Sequence, residues 1–261
     1  IWHKFGNGIL NFTNSGTVTS PTIAFLGGES TDNVTNSGRM TGGIDLGGGN
    51  DSYFGTTGTV TGAINGGAGD DLFRPGTHAE TINGGDGIDT LDFSTSKVKI
   101  TVNLTIQSQN SGNLVAGDRF SGIENMTGSA YADRLVGNTA DNLLIGGGQA
   151  DTLAGDGGDD IIIGGAAKDR TYGGTGADSF VFARPQDGGD FIYDFVSGQD
   201  HIQLEGSTFG LGAYAGGITA ASFHSSSTGL AHDADDRFIF RTTTQCLWFD
   251  ADGTGRGKAV L

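Results

Sequence analysis

From Gly128 to Val181 the chain repeats every nine residues, six times without insertion: GSAYADRLV, GNTADNLLI, GGGQADTLA, GDGGDDIII, GGAAKDRTY, GGTGADSFV. The sixth position reads Asp133, Asn142, Asp151, Asp160, Asp169 and Asp178, and the eighth reads Leu135, Leu144, Leu153, Ile162, Thr171 and Phe180. Such a period constrains the fold more than any other feature, because each unit is too small to bury a core alone. The first six residues form a turn in which glycine allows close backbone approach and turns carbonyls inward. The Asp adds a carboxylate, and carbonyls with carboxylates are hard oxygen ligands that suit Ca²⁺. The last three residues form a short strand with one apolar side chain inward. Neighbouring units must therefore stack.

The same pattern occurs earlier. LGGGNDSYF (46–54) has Leu46 at the first position, GGAGDDLFR (66–74) and GGDGIDTLD (84–92) match fully, and PGTHAETIN (75–83) keeps the phase with Glu80 in the Asp slot. Residues 1–65 carry a looser repeat of about twenty residues, read as coils of a parallel solenoid with Phe25, Ile44 and Ile64 facing the core. Between 93 and 127 the nonad is lost. KVKITVNLTI (97–106) alternates with period two and reads as a half-buried strand, while QSQNSGNLVAGD (107–118) reads as a protruding polar loop. After Val181 the pattern changes again, with strand candidates at DRFIFRT (236–242) and CLWFD (246–250).

The nonad G-G-x-G-x-D-x-U-x, with U a large apolar residue, resembles the RTX (repeats-in-toxin) repeat of secreted bacterial proteins. FSGIENMTGSAYAD (120–133) is similar to a segment that re-enters many RTX arrays, and DFIYDFVSGQDHIQL (190–204) to an element that caps RTX rolls. The resemblance implies an all-β fold: a right-handed parallel β-roll or β-solenoid with a C-terminal β-rich cap. It divides the chain into N-terminal coils (1–65), a first array (66–92), irregular coils (93–127), a second array (128–182) and a cap with a secretion signal (183–261). Two nonads would make one coil, with Ca²⁺ between turns eighteen residues apart. Asp133, Asp151 and Asp169 then fall on one edge, and Asn142, Asp160 and Asp178 on the other. The expected ligands are Asp51, Gly69, Asp70, Asp71, Gly87, Asp89, Asp133, Asp151, Gly158, Asp159, Asp160, Asp169, Gly176 and Asp178, holding several Ca²⁺ ions. Asp70 and Asp159 are counted because they add a carboxylate at position five. The turn GGAAKD (164–169), with Lys168 beside the expected ion, and the turn GNTADN (137–142), with neutral Asn142, are expected to bind weakly.

Composition agrees with a cation-gathering protein. Of 261 residues 49 are Gly and 3 are Pro, and 30 acids against 14 bases give a net charge of −16. That charge argues against nucleic acid and anionic membrane as partners. One cysteine, Cys246, rules out an intramolecular disulfide, so metal is the natural staple. No transmembrane run is present. The absence of H-E-x-x-H and G-x-S-x-G removes a zincin and a hydrolase elbow, and no enzyme activity is expected. The resemblance implies export by type I secretion machinery to the bacterial cell surface or the extracellular space, and a structural or adhesive role there. Cell-surface polysaccharide and other copies of the chain are the candidate partners. The alternative reading is the secretion and folding domain of a larger exported enzyme.

Overall fold

The computed structural model describes residues 8–111, 115–184, 187, 189–205, 209, 223–227, 238–241 and 246–249. One wall is a ten-stranded parallel sheet that begins at Leu10–Asn14 and ends at His201–Leu204. The other wall is two parallel sheets. A six-stranded one ends at Arg119–Ser121, and a five-stranded one runs from Thr101–Asn103 through Arg134–Val136, Thr152–Gly157 and Arg170–Thr175 to Phe191–Ile192. The chain is therefore an all-β parallel solenoid. No described helix is long and apolar enough to cross a membrane.

The nonad sets the register. Leu143 pairs with Ile161 and Thr152 with Arg170, eighteen residues on in each case. The N-terminal coils are longer, since Leu10 pairs with Asp32 and Ser52 with Leu72. Inward side chains stack in columns. On the long sheet Val34, Tyr53, Phe73, Leu91, Met126, Leu144, Ile162 and Phe180 lie in register, and all are buried. Facing them are Phe25, Ile44, Ile64, Ile82 and Phe120, and further on Val102, Leu135 and Leu153. Phe25, Ile44 and Ile64 thus face the core, as the N-terminal repeat requires. Thr171 is the polar exception, and its hydroxyl donates to the Phe191 carbonyl at 3.3 Å. Outward threonines do not form an unbroken array, because Arg39 stands between Thr17 and Thr59.

Three expectations need correction. The 97–106 strand is limited to Thr101–Asn103, although Ile100 and Val102 are buried as the alternation demands. The described residues of the 107–118 segment, 107–111 and 115–118, are tied down rather than protruding. A short 3₁₀ turn, Gln107–Gln109, opens it, and Asn110, Val115 and Asp118 are buried. Its cause is an oversized coil: Thr90 pairs with Asn125, so one circuit takes 35 residues. That circuit supplies Thr101–Asn103 to the five-stranded sheet and Arg119–Ser121 to the six-stranded one. The Gln107 amide bridges the two, donating to Leu104 O (2.6 Å) and Phe120 O (3.0 Å) and accepting from Phe120 N–H (2.9 Å). Third, 190–204 adds one more coil, with Phe191 beside Arg170 and His201 beside Ser179. Beyond it Phe223–Ser226, Phe238–Arg241 and Cys246–Phe249 form a three-stranded sheet. The second and third pair antiparallel, and the first was not foreseen. Residues 250–257 and the Cys246 side chain lie outside the described residues.

Candidate metal centre

From the second strand onward, each strand of the long sheet begins at or directly after a polar residue at the bend. Along this first edge the residues are Asp32, Asp51, Asp71, Asp89, Glu124, Asn142, Asp160, Asp178 and Asp200. They are linked coil to coil. The backbone N–H of Asp51 donates to Asp71 Oδ1 (2.8 Å), Asp71 to Asp89 (2.8 Å), Asp89 to Glu124 Oε2 (2.9 Å), Asp160 to Asp178 (3.0 Å) and Asp178 to Asp200 (3.1 Å). The second edge repeats this. Glu80 donates to Asp118 (2.7 Å), Ile100 to Asp133 (2.6 Å), Asp133 to Asp151 (2.7 Å), Asp151 to Asp169 (2.7 Å) and Asp169 to Asp190 (2.9 Å). The structure therefore brings Asp133, Asp151 and Asp169 to one edge and Asn142, Asp160 and Asp178 to the other.

On eight of these rungs one carboxylate oxygen is satisfied in this way and the other is not. Oδ2 of Asp51, Asp71, Asp89, Asp118, Asp151, Asp160, Asp169 and Asp178 is buried without a hydrogen-bond partner. A buried anionic oxygen left unpaired costs several kcal/mol at the order-of-magnitude level. Titration behaviour carries the same message. Burial, with neighbouring carboxylates adding to it, pushes Asp51 and Asp151 up to about 8 and Asp89 and Asp160 up to about 7. Burial also raises Asp71, Asp169 and Asp178. These edges hold negative charge where it is unstable unless a cation joins it.

The free oxygens share a cradle with backbone carbonyls. A Cβ built on Gly155 would collide with Asp160 Oδ2 and lie 2.6 Å from Gly173 O. On Gly146 it would collide with Asp151 Oδ2 and lie 2.5 Å from Gly164 O. At these two turns only glycine at position one leaves that space open. Position four adds a second constraint. Gly69, Gly87, Gly158 and Gly176 have φ of 125°, 138°, 104° and 137°, and a Cβ there would meet a carbonyl oxygen of the preceding coil. Among the described residues no three His, Cys, Asp or Glu side chains converge on one point. A cation here must therefore be held by one carboxylate per turn with carbonyls, a hard, all-oxygen set of the kind Ca²⁺ takes.

The family comparison decides what the nonads are. The model of the RTX calcium-binding nonapeptide repeat matches four times, at residues 63–91, 120–153, 127–162 and 145–180. The chain carries RTX calcium-binding repeats. Such repeats bind Ca²⁺, and several repeats imply several ions. No curated protein matches the chain.

Within the RTX turns the fit varies. Asn142 is satisfied without an ion: its Oδ1 accepts from Asn138 N–H (2.8 Å) and its Nδ2 donates to Glu124 O (2.7 Å). Asp133 accepts the Ser129 N–H and hydroxyl as well as Ile100 N–H. Asp70 and Asp159 sit at the outer rim, exposed, and their Oδ1 atoms accept from Ile88 (2.9 Å) and Ala177 (2.7 Å). Asn14 and Asn36, joined by a 2.9 Å side-chain hydrogen bond, close the start of the second edge without charge. Glu80 reaches further than an Asp would, and takes the Tyr53 hydroxyl at 2.6 Å and Gly76 N–H at 2.9 Å.

Several rungs escaped the sequence reading. Asp32 belongs to GGESTDNVT (27–35), a nonad that the looser twenty-residue repeat of residues 1–65 obscures. Asp190 and Asp200 each stand one residue before a strand, a signal that could have found them. Asp118 also stands one residue before a strand, Arg119–Ser121, but follows a stretch with no nonad form.

Proposed function

We propose that this protein is a secreted or cell-surface Ca²⁺-binding module with a structural or adhesive role, which stays unfolded until it meets extracellular Ca²⁺. The observation that carries the reading is the pair of edges lined with buried, partnerless carboxylate oxygens. Without a cation those rungs oppose folding by desolvation and mutual repulsion. Glycine adds to the cost, because it loses more backbone freedom on ordering than any other residue. Ca²⁺ joins only the closed turns, so its binding energy is folding energy. Extracellular Ca²⁺ modules are tuned to roughly 10⁻⁴–10⁻³ M. A chain tuned in that way is threadable where Ca²⁺ is scarce, which suits a type I exporter, and folds after release. Circular dichroism in EDTA followed by a Ca²⁺ titration tests the proposal. Strand signal should be largely absent at first and appear cooperatively near millimolar Ca²⁺. Full strand signal in EDTA, unchanged through the titration, would reject it.

A further inference from the structure

We propose that the outer face of the five-stranded sheet binds an anionic polysaccharide whose acidic groups recur on alternate rings. On this face Arg134, Thr152, Arg170 and Phe191 stand in register in one column. Tyr172 stands in the next column, and Tyr193 stacks on it with ring centroids 4.8 Å apart. Arg134 and Arg170 are exposed on a chain of net charge −16, and the side-chain ion pairs among the described residues use Arg74 and Arg184 instead. Three acids border the face. Asp156, exposed on the Thr152–Gly157 strand of this sheet, accepts the Thr105 hydroxyl at 3.3 Å, and the other two are engaged by backbone N–H groups. Asp190 accepts Asp169 N–H, and Asp194 accepts the N–H groups of Gly173 and Gly174.

The spacing selects the ligand. Two rungs of a parallel sheet separate the guanidinium groups' backbones by about 9.6 Å. An extended glycan with a carboxylate on every second ring repeats at close to that distance. Each carboxylate suits the planar fork of an arginine. Phe191 and Tyr193, 50% and 52% exposed, then supply apolar surface for the C–H face of a sugar ring. Half a charge per ring also limits repulsion from the acidic body, which a more densely charged polymer would meet in full.

The proposal takes from the extracellular reading only where the ligand is met, and its test separates the two. Ca²⁺-loaded protein, checked as folded by circular dichroism, is titrated at low salt with a hyaluronan hexasaccharide, and with maltohexaose as the neutral control. Hyaluronan should bind and maltohexaose should not. Arg134→Gln with Arg170→Gln should weaken binding at least tenfold, and Phe191→Ala severalfold, while Arg39→Gln on the six-stranded sheet leaves it unchanged. The proposal is overturned by no binding at millimolar ligand, by equal binding of maltohexaose, or by equal loss in the Arg39 variant. It is also overturned if sedimentation shows self-association that the double variant abolishes, since the face would then belong to a second copy.

Discussion

At residue scale, two alanines and one glycine expose how the RTX turn works. Ala167 occupies position four with φ of 88°, the left-handed conformation that its neighbours reach with glycine. A side chain there is strained by roughly 1 kcal/mol, so Ala167→Gly should raise stability by about that amount in Ca²⁺. Ala140, the other alanine at position four, does not adopt a positive φ, and its turn is the one closed by the self-satisfied Asn142. The reverse change at position one should be far worse. Gly155→Ala would drive a methyl group into Asp160 Oδ2, and should cost about 2 kcal/mol or more together with the calcium affinity of that turn. Thermal denaturation of both variants in Ca²⁺ measures the two signs. The carboxylates also fix a pH dependence. Asp51, Asp89, Asp151 and Asp160 are raised to about 7 or 8 in the metal-free fold, so the folded state holds more protons than the unfolded state from about pH 4 up to that range. In EDTA, stability should rise as the pH falls from 8 to 5. With Ca²⁺ the sign reverses, because protons compete with the ion for the same oxygens. Strand signal measured across that pH range in both conditions checks the crossing, and parallel trends would contradict it.

At the scale of elements, the nonads were legible and the junction between them was not. A nonad states its own turn, strand and inward side chain, and with two nonads to a coil, as the resemblance implies, the columns through Leu144, Ile162 and Phe180, and through Leu135 and Leu153, follow. The edge assignment of the six residues from Asp133 to Asp178, five Asp and Asn142, comes from the resemblance, which makes two nonads one coil. The 93–127 coil is written differently. Its closure depends on Gln107, whose amide reaches Leu104 and also Phe120, thirteen residues beyond Gln107 itself, and no local pattern announces that role. Asp118 was missed for the same reason, since its partner Glu80 lies 38 residues away. Gln107→Ala removes the hydrogen bonds to Leu104 and Phe120 and should destabilise the calcium-loaded protein by about 2–3 kcal/mol. Chemical denaturation would measure it. A loss no larger than that of an exposed substitution such as Ser108→Ala would show that the two sheets are held together by core packing alone.

For the whole molecule, the two edges are not equivalent along their length. The first carries carboxylates from Asp32 onward, whereas the second opens with Asn14 and Asn36, a neutral pair that closes its own turns. Calcium should follow the partnerless oxygens and avoid the asparagines, although both stretches belong to one solenoid with one core. The most direct test is a crystal structure grown in millimolar Ca²⁺, with ions located by anomalous scattering. Ions with six or more oxygen ligands at about 2.3–2.6 Å are expected between the Asp71 and Asp89 turns and between the Asp160 and Asp178 turns, and none beside Asn14 and Asn36. Empty density at both pairs of aspartate turns would contradict the account.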